Sequence, residues 1–430
     1  MTHKIVVGLG FGDECKGATV DWLCATTDVE AVVRFNGGPQ AAHNVITPDG
    51  RHHTFAQFGS GSFHEIPTYL SKYMLVNPFN LLVEAEHLAE LGVMDPMSLV
   101  YIDQDALLVT PYHRRANRLR EDARGTSRHG STGQGVGETR AYAIGNPDDA
   151  PVMGDIFNED VLTQKLQKLL SAYIDEFGVH FADDTMAPSK LASTYKSMLD
   201  FLQIVPSSKL TKFMSMGDVV FEGAQGVLLD ELLGFNPHTT WTKTNQENAR
   251  ALLKGRPAEV YGLTRTYHTR HGAGPFPTEY ANDDGYYEPH NGTGRYQGAW
   301  RVGALDLALL RYAVEVNGGI DRLVVSHVDY LEALAETHRP MEWTDGYVHK
   351  SDGFTKWLHA GEVIGAPYTL SQSTALGVEM GEVTPATGGY LTSVQGLDEA
   401  LELATGRRPD VYSYGPTWKD RVLADVPALS

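Results

Sequence analysis

"KIVVGLGFGDECKGATVDWL", residues 4–23, decides how this chain is read. Its apolar start, rich in β-branched residues, has the pattern of a buried strand. A glycine-rich turn follows and ends on Lys16, and the sequence then resumes in a helical pattern. Strand, glycine turn and helix make a phosphate-binding layout, because glycines let backbone approach an anion and a helix N-terminus aims N–H groups at it. Yet the stretch meets neither common signature. Asp13 stands where G-x-G-x-x-G requires its third glycine, and Cys15-Lys16-Gly17 replaces the Gly-Lys-Ser/Thr of a Walker A loop. Two carboxylates, Asp13 and Glu14, therefore lie inside a loop laid out for phosphate. Taken alone, the loop also reads as a tight turn with solvated charges.

The 430-residue chain is 42% hydrophobic and carries a formal charge of −19. This acidic balance argues against a nucleic-acid-coating surface, since phosphate backbones select basic faces. A small anion held in a local nest of N–H groups stays compatible with it. The only two cysteines, Cys15 and Cys24, imply no disulfide framework and point to a reducing compartment. No signal-peptide pattern and no apolar run of about eighteen residues occurs, so a soluble cytoplasmic protein without membrane partners is expected.

Further strand-like runs are "EAVVRF", "YMLVNPF", "SLVYID", "DVVFEGA", "EVYGLTRTY" and "RLVVSHVDY". Several are nearly continuous rather than alternating, as parallel strands covered on both faces require. Helical patterns lie between them, including "FNLLVEAEHLAELG" and "ALDLALLRYAVEVNG", the second starting near Asp306. The expectation is an α/β fold, a large mostly parallel twisted sheet flanked by helices, in a single domain over 1–430 with a helical insertion at about 160–216.

Four later segments carry more glycine and polar residues than loops need. "RFNGGPQAAHNVI" (34–46) places a glycine pair after a strand and brings His43, a candidate acid. "GSTGQGVGE" (130–138) alternates small residues with hydroxyls. "VVFEGAQGVLLD" (219–230) ends a buried strand in Glu222-Gly223-Ala224-Gln225-Gly226, where Gln225 can meet a carbonyl or phosphoryl oxygen. "TRHGAGPFPTE" (269–279) combines two prolines with two glycines. A histidine metal site is disfavoured: His268 and His271 are spaced i, i+3 in an expected loop, and H-E-x-x-H is absent.

In this order, "GDECKG", "GGPQAAH", "STGQGVG", "EGAQG" and "GAGPFPTE" resemble the loops of the adenylosuccinate synthetase family, and the likeness runs on to "VYSYGPTWKD". The resemblance implies a P-loop-like, GTPase-related architecture. It also implies a GTP-driven ligase that phosphorylates the 6-oxygen of IMP and lets aspartate's amine displace that phosphate. It answers the question of the loop carboxylate: a base must take the purine N1 proton beside the transferring phosphoryl group. By motif position Asp13 is that base and a Mg²⁺ ligand, with the carbonyl of Ala42 as a second ligand. His43 is the acid. Gly12, Glu14, Cys15, Lys16 and Gly17 take the GTP phosphates, and Asp329, Ser413 and Gly415 the guanine. Gln225 holds the 6-oxygen, and Gln40, Thr132, Thr240 and Arg140 match positions around the monophosphate. Thr293, Arg295 and Arg301 fall in the loop that holds aspartate. A homodimer is implied as well.

The chain departs from the family at several of these places. Cys15 and Ala42 replace glycines, Gln40 an asparagine, and His327 a lysine beside guanine. The segment after Thr240 reads "WTKTNQEN" in place of a serine- and threonine-rich one. Catalytic groups are kept while substrate-facing ones drift. Two alternatives follow: the same chemistry on GMP or dGMP, as in a related phage-encoded branch, and a non-catalytic nucleotide-binding protein.

Overall fold

Ten strands form one sheet in the computed structural model, which describes residues 1–125, 128–281, 286, 288, 291, 293–336, 341–350, 356–358 and 362–424. The spatial order is Arg421–Leu423, Val411–Ser413, Arg322–Ser326, Ala258–Arg265, His3–Gly8, Val219–Gly226, Ala31–Arg34, Thr68–Leu70, Val100–Asp103, Gln203–Val205. Every pairing is parallel except that of the edge strand Arg421–Leu423.

The first strand lies at the centre and is covered twice. Ile5 and Val7 pack with Val33, Phe221, Phe213 and Leu252 on one face, while Val6 packs with Val32, Val220, Val20 and Leu23 on the other. Each such side chain contributes about 1.5–3 kcal/mol when fully buried. Burial on both faces is why these strands read as unbroken apolar runs.

Three expectations are corrected. "YMLVNPF" yields only the two-residue strand Leu75–Val76, paired with Leu107–Leu108 outside the main sheet. Pro78 opens the helix Pro78–Glu90 there, with the Asn77 side chain accepting from the N–H groups of Phe79 and Asn80. The span at about 160–216 holds the helices Glu159–Phe177, Pro188–Ser197 and Ser208–Met216, but Gln203–Val205 between them completes the sheet edge. Finally, His268 and His271 lie on a strand, His268–His271, antiparallel to Trp300–Gly303.

Among the described residues, no helix is long and apolar enough to cross a membrane. Both cysteines are free thiols.

Candidate active site

The carboxyl ends of the central parallel strands open onto one edge, where ligands bind in open α/β sheets. That edge gathers the loop after Gly8, the turn after Arg34, the end of Val219–Gly226, Arg265, the Ser326-His327 step and the turn after Ser413.

In the first loop Asp13 and Cys15 both adopt left-handed backbone, with φ of 64° and 62°. Lys16 begins the helix Lys16–Thr26, but its ammonium turns inward, 2.6 Å from Glu14 Oε2, and both side chains are buried. The other carboxylate oxygen of Glu14 accepts from the Gly12 N–H at 2.7 Å. A Cβ at Gly8 would lie 2.0 Å from Glu14 Oε2, so glycine there makes the seat for this carboxylate. Glu14 thus fastens the loop from beneath and neutralises Lys16.

His43 opens the short strand His43–Ile46 and packs against the helix at Gly17, where an added Cβ would stand 2.7 Å from His43 Cβ. Its Nδ1 is 2.6 Å from Glu222 Oε1. Glu222 also accepts from the Ser60 hydroxyl at 2.6 Å and the Ser60 N–H at 3.0 Å. Desolvation alone would raise the Glu222 carboxyl, but Arg34, His43 and Ser60 outweigh it and hold it down at about 2. Burial lowers the His43 pKa, with Arg34 and Lys16 adding to the effect and Glu222 opposing it. Its Nδ1 faces Glu222, and among the described residues its buried Nε2 has no protein partner.

Asp13 Oδ2 lies 3.1 Å from His271 Nε2, and the Asp13 carbonyl accepts from Arg265 at 3.1 Å. Burial would raise the Asp13 pKa; the hydrogen bond and charge of His271, with Arg265 and Lys16, pull it below the ordinary value. Nearby, Gln225 sits at φ 60°, and among the described residues its buried Oε1 has no partner, nor do the amide atoms of Gln40. A Cβ at Gly37 would stand 3.6 Å from Gln225 Oε1 and 3.7 Å from Gln40 Nε2, so the two amides converge above this glycine. Buried polar atoms are normally paired, which marks this group as awaiting a polar ligand.

On the other side of the loop Cys15 Sγ is 4.0 Å from His327 Nδ1. Burial would raise the Cys15 thiol, but His327, Arg265 and Arg421 bring it down to about 7. His327 Nε2 meets Glu288 at 3.0 Å, and Glu288 also pairs with Arg265. Asp329 lies in the first turn of the helix Val328–Glu336, its pKa raised by burial. Ser413 ends the neighbouring strand and donates to the Gly415 carbonyl at 3.0 Å.

The remaining sequence-predicted residues spread around this centre. Ala42 is exposed beside His43, and Thr132 and Thr240 are half-buried. Arg140 reaches to 4.0 Å from Glu231 Oε2. Thr293 and Arg295 are exposed, with Arg295 against Asp122 and over Tyr296. Arg301 is committed: it forms an ion pair with Glu279 and donates to the carbonyls of Gly272 and Gly274 at 2.9 and 3.0 Å. In "WTKTNQEN", Thr244 and Gln246 are buried and bond to Asp230 and Asn317, which ties that segment to the scaffold.

Sequence reasoning gave no role to Glu222, Ser60, Arg34, Arg265, Glu288 or His271. Glu222 had a usable signal, a carboxylate closing a buried strand; the others depend on how distant segments meet.

Fold and site together define a doubly wound α/β protein whose edge gathers a glycine-rich loop with Asp13, the buried His43–Glu222 pair and the amides of Gln40 and Gln225. The family model for adenylosuccinate synthetase matches residues 5–353, and the chain belongs to that family. It is 30% identical to adenylosuccinate synthetase of Acidithiobacillus ferrooxidans over 438 aligned residues, covering 98% of each protein, and 29% identical to that of a Marinomonas species over 99% of each. Among solved structures it is similar to fully ligated adenylosuccinate synthetase from Plasmodium falciparum, with a TM-score of 0.81, 20% identity and coverage of 99% and 100%. It is also similar to cyanophage S-2L succinoaminodeoxyadenylate synthetase bound to dGMP and dATP as an energy donor, with a TM-score of 0.63, 16% identity and coverage of 99% and 97%.

Proposed function

We propose that the chain is a GTP-dependent ligase that joins L-aspartate to a 6-oxopurine nucleoside monophosphate, IMP ahead of GMP or dGMP, and yields adenylosuccinate from IMP. The observation that carries this reading is the placing at one sheet edge of Asp13, His43, the Gln40 amide and Gln225 Oε1, the last two without partners among the described residues. Asp13 takes the purine N1 proton, and the 6-oxygen, held by the Gln225 amide, attacks the γ-phosphorus of GTP as GDP leaves. Aspartate's amine then displaces inorganic phosphate from C6. With Nδ1–H held by Glu222, His43 takes a proton from water onto Nε2; Glu222 stabilises the resulting positive ring from behind, and Nε2–H donates to the phosphoryl oxygens as their charge grows. Positioning and charge stabilisation are the main tasks in phosphoryl transfer, and rigid partners such as Ser60 and Arg265 serve both.

A divalent ion fits the loop, since the Asp13 carboxylate is 28% exposed while Lys16 is neutralised by Glu14. Asp13 and the Ala42 carbonyl would hold Mg²⁺, which supplies charge neutralisation at the phosphates. Thr132, Thr240 and Arg140 serve the monophosphate, and Thr293 and Arg295 the aspartate, while Arg301 stays committed to Glu279 and the Gly272 and Gly274 carbonyls. Asp329, Ser413 and Gly415 take the donor base. A single-domain, cytoplasmic homodimer completes the reading, and two free cysteines suit a reducing compartment.

The GMP or dGMP reading is favoured by Gln40, whose amide can pair with an exocyclic amine, and by the named ligands of the cyanophage neighbour. Phosphate release is measured with IMP, GMP and dGMP, each with GTP or ATP, in the presence of aspartate and Mg²⁺. Aspartate-dependent release with IMP ahead is expected. Turnover with dGMP but not IMP overturns the preference for IMP, because a site that needs the 2-amino group rejects a purine lacking it. ATP outperforming GTP removes the role given to Asp329. No release with any pair revives the non-catalytic reading.

A further inference from the structure

The sequence disfavours His271 as a metal ligand, because its segment reads as a loop and H-E-x-x-H is absent. The strand His268–His271 instead carries its Nε2 to 3.1 Å from Asp13 Oδ2, with the two side chains 20% and 28% exposed. Adjacent ligands on one octahedral ion lie about 3.0 Å apart when the bonds are about 2.1 Å long. That contact is a hydrogen bond, and the same spacing lets both atoms share one cation.

The strand that carries the ring is also firmly placed, as the support of a metal ligand must be. His271 pairs with Trp300 across the antiparallel strands, and the Gly272 N–H donates to the Ala299 carbonyl at 2.8 Å. Arg301 clamps the carbonyls of Gly272 and Gly274 just beyond it. Nor does the loop lysine oppose a cation, because Glu14 holds it beneath the loop.

We infer that His271 supplies an imidazole nitrogen to the same divalent ion as Asp13, making this a mixed oxygen–nitrogen centre that prefers Mn²⁺ or Co²⁺ over Mg²⁺. Carboxylate and phosphate oxygens suit Mg²⁺, whereas an imidazole ligand shifts preference towards first-row transition ions. The inference rests on the metal-assisted reading above and changes the identity of the ion.

The test is pulsed EPR of the full chain with Mn²⁺ and GDP, together with competition between Mn²⁺ and Mg²⁺ for the site. Coupling to ³¹P places Mn²⁺ at the nucleotide, and coupling to a directly bound ¹⁴N reports the imidazole. Both are expected in the wild-type protein. His271→Gln keeps an N–H for Asp13 but offers no imidazole, so it is expected to lose the ¹⁴N coupling. Its preference for Mn²⁺ over Mg²⁺ is expected to fall by at least ~10-fold, the lower end of the effects seen when a metal site's support is altered. Coupling to ³¹P without ¹⁴N in the wild type, or ¹⁴N coupling that persists in His271→Gln, overturns the inference and leaves the metal-assisted reading standing. Mn²⁺ bound without ³¹P coupling, or not bound at all, overturns both.

Discussion

His43 and Glu222 stand 179 positions apart in the chain, and their Nδ1 and Oε1 atoms are 2.6 Å apart in the fold. Sheet order makes this contact. The Val219–Gly226 strand lies directly beside Ala31–Arg34, with Glu222 in register with Arg34, and the chain then turns back through residues 37–42 to His43. Arg34, Glu222 and His43 are thereby buried together.

The Glu222 carboxyl is depressed from 4.5 to about 2, so its stabilising contribution is present above 4.5 and is lost as pH falls through about 2. At about 1.4 kcal/mol per pKa unit this amounts to roughly 3 kcal/mol at neutral pH. Glu222→Gln is expected to destabilise the protein by roughly 3–5 kcal/mol at pH 7, because Arg34 then lacks a buried counter-charge. Urea unfolding from pH 7 to 2.5 checks this: the gap from wild type should narrow below pH 4.5. A gap independent of pH would show that the carboxylate charge is not what matters.

Asp13→Asn is expected to lower turnover by about 10² to 10⁴-fold, the usual contribution of a general base. Nucleotide affinity should stay close to wild type, since the amide leaves the loop N–H groups in place. His43→Asn should lose rate on a similar scale. Steady-state kinetics with a nucleotide-binding titration separates the two effects, and near-wild-type turnover in both variants would exclude this pair from the chemistry.

Gly17→Ala sets helix propensity against sterics. Alanine gains about 1 kcal/mol over glycine inside a helix, while overpacking costs about 1–3 kcal/mol. The new methyl would meet His43 Cβ at 2.7 Å and the Ser60 hydroxyl at 3.0 Å. Sterics should win, because His43 is held by Glu222 and cannot swing away. A lower melting temperature with reduced turnover is expected; a more stable, fully active variant would mean that the His43 strand shifts freely.

Cys15, brought down to about 7, should react with iodoacetamide at neutral pH, with a labelling midpoint near that value. Cys24 is buried, and its thiol is pushed up by desolvation, with Glu222 and Asp21 adding to it, so it should stay unlabelled in the folded protein. Saturating GTP should protect Cys15. Mass spectrometry of the modified peptides decides, and equal labelling with and without GTP would remove Cys15 from the nucleotide face.

The fold class and the chemical vocabulary of this protein are legible in its sequence. Unbroken runs such as Ile5–Val7 and Val219–Phe221 specify strands buried on two faces, and the glycine loop has a phosphate-binding layout with the carboxylate of Asp13 inside it. These are local signals, because strand patterning and loop chemistry depend on neighbouring residues. Only the tertiary structure decided the partnerships: Glu222 behind His43, His271 on Asp13, and the clamp of Arg301 on Glu279 instead of an open guanidinium. It also turned Lys16 inward onto Glu14, a pair two residues apart whose direction depends on the space left at Gly8 and Gly10. Such contacts depend on which parallel strands lie side by side, and that order is fixed by packing across the whole sheet, which no local pattern encodes.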